Sequence, residues 1–177
     1  MTATATIRPA RLEDIDDILQ LIVDLATYEK EPESAKATPE LLRKNLFETP
    51  YAHALLAFLP PAAENENAAN SEKPVGLALY FFNYSTWTGR PGLYLEDLYV
   101  KPESRGTGVG KALFAELGKI AQEKNCARLD WSVLKWNQPS IDFYEKVLGA
   151  TRMSEWMGMR LEESGIEGLK RFALKNA

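Results

Sequence analysis

The stretch Arg105-Gly106-Thr107-Gly108-Val109-Gly110-Lys111-Ala112 constrains this chain more than any other. A strand-like run ends just before it at Pro102, and a helical stripe of Val109, Leu113, Leu117 and Ile120 begins inside it. Glycines at such a junction let the backbone come close to a ligand. Successive N–H groups at a helix N-terminus make an anion site. A phosphate-bearing ligand is the partner this chemistry suits, and the alternative is a glycine-rich helix start that binds nothing. Two familiar phosphate motifs fail. A P-loop needs glycine where Arg105 stands and Ser or Thr where Ala112 follows Lys111. The dinucleotide fingerprint needs a third glycine at the position of Lys111.

Around this junction, alternation predicts strands at Thr4–Arg8, Ala52–Leu59, Val75–Tyr84, Leu93–Val100, Ala127–Leu134 and Trp156–Leu161. Helical spacing runs through Ile15, Ile18, Leu19, Ile22 and Leu25. Thr38-Pro39 reads as an N-cap with proline at the first helical position. Further helices are expected at Gly108–Asn125 and Pro139–Leu148, with a short helical tail at the end. Pro60–Pro74 lacks periodicity and reads as a solvated loop, and Ser85–Gly92 reads as a turn. Strands dominate before residue 100 and alternate with helices after it. That predicts an α/β or α+β chain, with one sheet flanked by helices, and 177 residues suit a single domain.

Charge narrows the partners. Basic residues number 21 and acidic 25, a net charge of −4, which argues against nucleic acid and anionic lipid and suits a small cationic substrate. A single His and a single Cys exclude a His/Cys zinc site and an internal disulfide, and no metal is expected. A lone Cys fits a reducing compartment. The first residues show no basic segment followed by an apolar run. Asp16, Asp17 and Asp24 break the apolar stretch Ile15–Ala26. The reading is a cytoplasmic protein without a membrane span.

What survives of the glycine motif is Arg105-x-x-Gly108-x-Gly110, which resembles the pyrophosphate loop of the GNAT N-acetyltransferases. Tyr94-Leu95-Glu96-Asp97-Leu98-Tyr99-Val100 resembles that family's fourth strand. Trp136-Asn137-Gln138-Pro139-Ser140-Ile141-Asp142-Phe143-Tyr144 resembles its last motif, and Ile7-Arg8-Pro9-Ala10 its start. The segments Asp24–Lys30, Ala78–Trp87, Leu95–Asp97 and Trp136-Asn137 are similar to the diamine acetyltransferases, the spermidine/spermine enzymes and their thialysine and small-amine relatives. The resemblance implies a mixed, mostly antiparallel sheet with acetyl-CoA in the splay between central strands. It implies acetyl transfer to a primary amine by direct attack in a ternary complex, and a homodimer joined near Met153–Leu161.

By resemblance, Leu98, Tyr99 and Val100 offer backbone groups to pantetheine, and Arg105, Gly106, Thr107, Gly108, Val109, Gly110 and Lys111 cradle the pyrophosphate. Asn137 and Ser140 touch the arm near the thioester. Tyr144 is implied as the general acid, the alternative being a core tyrosine of an amphipathic helix. A primary amine with a pKa near ~10 must lose a proton before it attacks. Glu96 is the candidate base, or merely neutralises the cation. Tyr28, Glu29, Glu96, Asp130, Trp131, Ser132 and Glu155 are the expected amine contacts, among acids and aromatics that also include Glu31, Glu33, Trp87 and Asp97. Trp131 alternates with Leu129 and Val133 and has a plain sheet-core reading as well. Cys126 and His53 lack the setting of a nucleophile or base. Lys135 and the stretch Thr151–Arg160 depart from the polyamine enzymes and leave the amine open. Acetylation of a protein or xenobiotic amine, or an acetyl-CoA-binding module without catalysis, are the rival readings.

Overall fold

The computed structural model describes residues 5–60 and 73–173. The expected loop Pro60–Pro74 lies mostly outside them. The described residues group into two compact units, one ending at Ser132 and one starting at Val133.

The first unit is built on five strands in sequential order: β1 Thr6–Pro9, β2 His53–Phe58, β3 Gly76–Ser85, β4 Arg90–Val100 and β5 Leu129–Trp131. The first three pairings are antiparallel, and β4 with β5 is parallel. Helix α1, Ile15–Tyr28, covers one face. Its apolar stripe of Ile15, Ile18, Leu21 and Leu25 packs on Leu56, Phe58, Leu77 and Tyr99. The entry to α1 is pinned by Asp14, which accepts from the Arg8 guanidinium at 2.7 and 2.8 Å and from the Arg11 N–H at 2.7 Å. Helix α2, Pro39–Arg43, starts where Thr38 accepts from the Leu41 N–H, and it continues through a wider turn at Lys44–Glu48. Helix α3, Val109–Glu123, covers the other face of the sheet. Val109, Leu113 and Leu117 are fully buried, and Val109 lies against Gly76 so closely that a Cβ there would sit 3.1 Å from its Cγ1.

The second unit holds α4, Gln138–Asp142, continued by a wider turn at Phe143–Val147, and α5, Glu163–Gly168. Asn137 caps α4 by accepting from the Ser140 N–H, and Gly149 ends it with φ 72°, where a side chain is disfavoured.

Three expectations are corrected. The strand expected over Ala127–Leu134 is only Leu129–Trp131, because β4 gives it three ladder partners before turning away from it. Trp156–Leu161 is not a strand; it is irregular chain after a turn. Its apolar residues alternate with Gly158 and Arg160, but no ladder partner exists for it among the described residues, and alternation alone does not make a strand. The strand expected from Leu93 begins at Arg90, because Arg90, Pro91 and Gly92 pair with Ser85, Tyr84 and Asn83. The turn signals of Pro91 and Gly92 belong to the strand's first residues, and the reversal itself is Thr86–Gly89.

Candidate active site

The middle of β4 is irregular. Tyr80 faces Leu95 and Leu79 faces Asp97, so Glu96 is an extra residue, a β-bulge. A bulge reverses which side chains reach which face. Before it, Leu93 and Leu95 are buried, with Leu95 beside Trp131, whose ring meets Phe114 of α3 edge-on at 5.2 Å. After it, Tyr99 lies in the α1 core opposite Leu77. Residues of the same parity therefore sit on opposite faces, and Asp97 shares the α1 face with Tyr99.

The bulge also marks where the β5 partnership ends. β5 pairs with three residues of β4 only, in the register Leu93↔Leu129, Tyr94↔Asp130 and Leu95↔Trp131. From Glu96 to Val100, β4 is paired with β3 alone among the described residues. The backbone on that edge has hydrogen-bonding groups to offer, as a strand edge does. One of them, the Val100 carbonyl, accepts from Arg105 Nε at 2.9 Å.

Arg105 connects this edge to the glycine loop and to α1. Its guanidinium carbon lies 4.6 Å from the Tyr28 ring centre and 5.8 Å from that of Tyr99. Beyond it the chain turns through Gly106 (φ 78°) and Gly108 (φ 96°), both left-handed. Thr107 Oγ1 donates to the Ser104 carbonyl at 2.6 Å and braces the turn. Gly108 is the N-cap of α3 and supplies no side-chain cap. The first-turn N–H groups of this fifteen-residue helix thus lack a side-chain acceptor.

Carboxylates gather next to the bulge. Burial, followed by the negative charges of Glu96 and Glu29, pushes the Asp97 carboxyl up to about 6. Glu29, which caps the C-terminus of α1, is itself raised by burial. Glu96 is exposed, whereas Asp97 is half-buried. A neighbouring ammonium ion would be held by this group, and Asp97 takes up a proton more readily than an ordinary carboxylate. Along the same face toward the hairpin lie Phe81 and Tyr94, ring centres 5.1 Å apart, and the Tyr94 hydroxyl is 2.9 Å from Ser132 Oγ. Asp130 pairs with Arg128 Nε at 2.8 Å.

A bulged central strand, an edge beyond it that carries no second strand among the described residues, and a glycine turn leading into a helix without a side-chain cap form one arrangement, and the sequence comparisons match it. The acetyltransferase (GNAT) family model matches residues 16–150. The chain belongs to the GNAT acetyltransferase family. It is 40% identical over 171 residues to the thialysine N-epsilon-acetyltransferase of Sus scrofa, covering 94% of this chain and 98% of that one. The Caenorhabditis elegans protein of the same name is 33% identical over 153 residues, 85% and 88% of the two chains. Among solved structures, an integron cassette protein from V. cholerae superposes with a TM-score of 0.72 and 25% identity, covering 97% of this chain and 99% of that one.

Membership implies acetyl-CoA as co-substrate, and the residues of this acetyltransferase fit it. Space above Gly106 and Gly108 is open, with nothing within 4 Å of where a Cβ would stand. The exposed Lys111 adds a cation to the first turn of α3. Of the expected cofactor residues, Leu98, Tyr99, Val100 and Arg105 to Lys111 all belong to the first unit, as do Tyr28, Glu29, Glu96, Asp130, Trp131 and Ser132. Asn137, Ser140, Tyr144 and Glu155 belong to the second. There Asn137 is buried, the half-buried Tyr144 ring lies 5.7 Å from that of Phe143, and Glu155 stands in an exposed turn. The indole of Trp131 packs toward α3, on the face away from Tyr94 and Asp97. Asp97 is the residue that sequence reasoning undervalued. Its one sequence signal was the pair of adjacent acids, Glu96 and Asp97, inside an otherwise apolar and aromatic strand, whereas the alternation of Leu93, Leu95 and Tyr99 runs unbroken and hides the bulge.

Proposed function

We propose that this acetyltransferase moves the acetyl group of acetyl-CoA to the primary amine of a small cationic substrate, a diamine or a lysine-like amino acid of which thialysine is the type. The observation that carries this reading is the carboxylate group Glu29, Glu96 and Asp97 beside the bulge of β4. The names of the relatives support the substrate class. Bound acetyl-CoA supplies the thioester electrophile. Loop amides from Gly106 to Lys111 hold its pyrophosphate, and the β4 backbone at Leu98 to Val100 holds the arm. The exposed Glu96 meets the incoming ammonium. The proton leaves the amine for the Glu96–Asp97 pair, where Asp97, poised near 6, retains it better than a solvated carboxylate. Tyr144 donates a hydrogen bond or a proton to the departing sulfur, and Asn137 and Ser140 steady the arm. Tyr28 and Glu29 line the amine's approach, with Asp130, Ser132 and Glu155 contributing farther out, while Trp131, whose indole packs on α3, takes the sheet-core role instead. Both units work as one catalytic domain in this reading, and the family match running across their boundary supports it.

The segment Met153–Leu161 is proposed as a homodimer contact. Met153, Met157 and Met159 are 65%, 83% and 88% exposed, an unusual amount of apolar surface for one short segment. The single cysteine, Cys126, accords with a cytosolic location, and no helix of the described residues is long and apolar enough to cross a membrane.

The test is release of free CoA thiol from acetyl-CoA with spermidine, spermine, putrescine, thialysine, lysine and a histone-tail peptide in turn. Rapid release with a small amine is expected. Release with the peptide alone, or none at all while acetyl-CoA still binds, would replace this reading with a protein or xenobiotic amine substrate or a non-catalytic module. As a companion, Tyr144→Phe is expected to keep acetyl-CoA affinity and lose turnover about 10²-fold or more.

A further inference from the structure

Beyond Tyr94 and Phe81, away from the bulge, the α1 face of the sheet carries a second polar group. Gly92 lies opposite Asn83 in the β3–β4 ladder. A Cβ on Gly92 would stand 2.3 Å from Asn83 Oδ1 and 3.0 to 3.1 Å from Cγ and Nε of Arg128. The strand thus forgoes a side chain where Asn83 and Arg128 converge. Asn83 Oδ1 is buried and accepts no hydrogen bond from the described residues, a costly state for a carbonyl oxygen. Among the described residues, Arg128 gives only Nε to Asp130 Oδ2, at 2.8 Å, and its side chain is 43% exposed. That pairing leaves the terminal guanidinium nitrogens and one Asp130 oxygen available. The group therefore offers a fork of donors for a carboxylate next to an acceptor for an ammonium.

We propose that Arg128, Asp130 and Asn83 form a subsite for the α-carboxylate and α-ammonium of an amino acid whose side-chain amine is acetylated at Glu96 and Asp97. Arg128 takes the carboxylate through its terminal nitrogens. Asp130 accepts from the ammonium through its second oxygen, and the buried Asn83 amide, folded over Gly92, forms the floor of the subsite. Spacing supports the pairing of the two subsites. Asp130 is opposite Tyr94, two residues before the bulged Glu96, a run of about 7 Å along the strand. A short methylene or thioether chain spans that distance, with its hydrocarbon over the Phe81 and Tyr94 rings. A diamine or polyamine presents a second cation to Arg128 and lacks the carboxylate, so the subsite selects against it. This inference rests on the amine-acetyltransferase reading above and names the substrate class within it.

The experiment compares each amino acid with the same molecule lacking its carboxylate: lysine against pentane-1,5-diamine, and thialysine against its decarboxylated counterpart. Wild type, Arg128→Gln, Arg128→Lys and Asp130→Asn are assayed for kcat/KM, with thermal melting to confirm folding. Wild type is expected to favour the amino acids. Arg128→Gln should lower amino-acid kcat/KM about 10- to 100-fold more than diamine kcat/KM, mainly through KM, and Arg128→Lys should restore part of the difference. Asp130→Asn should also narrow the preference. An unchanged ratio in Arg128→Gln overturns the subsite, and so does an equal fall for both members of each pair. Turnover of diamines with no preference for the amino acids in wild type overturns the subsite while leaving amine acetylation standing. Absence of turnover with every small amine overturns that underlying reading and the subsite with it.

Discussion

The two halves of β4 belong to one strand and obey different rules. From Arg90 to Leu95 the strand is held on the β3 side throughout and by β5 at its end, and Leu93 and Leu95 are sealed from water. From Glu96 to Val100 it keeps only the β3 ladder, carries two adjacent acids, and sends Tyr99 to the opposite face. The first half is shaped by burial and the second by what it leaves available: a backbone edge, a carboxylate pair, and an arginine reaching back from the glycine loop. The bulge at Glu96 is the device that joins them. It interrupts the regular ladder and places polar groups where a regular strand would bury apolar ones.

Removing the bulge should break the comparison most completely. Deleting Glu96 leaves Leu95 opposite Tyr80 and Asp97 opposite Leu79 with no extra residue between them, so the ladder becomes regular, every side chain keeps its face, and the bulge and its exposed acid are lost together. Expected is a cooperative urea transition that is retained, with turnover lost to the limit of detection because the carboxylate and the break in the ladder are both gone. A stable, active deletion would mean that the two halves do not depend on it. The next largest effect is on turnover. Glu96→Gln should lower kcat about 10²- to 10⁴-fold, with little change in melting temperature, if this carboxylate receives the amine. Asp97→Asn provides the complementary readout. The acidic limb of the kcat profile, set by protonation of a group at about 6, should disappear or move in that variant. A limb that stays in place would assign the proton to another group.

Leu95→Ala tests the structural half. It should cost about 2–5 kcal/mol by urea denaturation, and turnover of the folded fraction should fall far less than in Glu96→Gln. The smallest effect concerns Asp97 and stability. Its carboxyl binds a proton more tightly folded, at about 6, than unfolded, near the ordinary 3.8. Stability is therefore lost as pH rises from about 4 to about 6, and the penalty is fully present above that. Asp97→Asn should be more stable than wild type at pH 7, by roughly 1–2 kcal/mol after allowing for solvent around a half-buried group, and no more stable below pH 4. Equal stability at pH 7 would place the carboxylate in water and remove it as a proton store.

Much of this could be read along the chain because it is local. The stripe of α1, the Thr38-Pro39 start of α2 and the glycine turn before α3 each depend on neighbours within a few residues, and all appear where the spacing predicts. Trp156–Leu161 did not follow its alternation, because a strand needs a partner as well as a pattern, and partners are not written locally. The family was legible for the same reason as the helices, since its motifs are short and contiguous.

The sequence by itself determined that this chain carries the glycine turn, the Glu96-Asp97 acids and the apolar periods of a GNAT acetyltransferase. Only the tertiary structure decided that Glu29 comes close enough to Asp97 to raise its proton affinity, that β5 leaves β4 at Leu95, and that Arg128 and Asn83 converge over Gly92. These depend on register and on burial. One residue of slip reverses a face, and a carboxylate's proton affinity follows the charges and solvent around it, so neither is a property of any single segment.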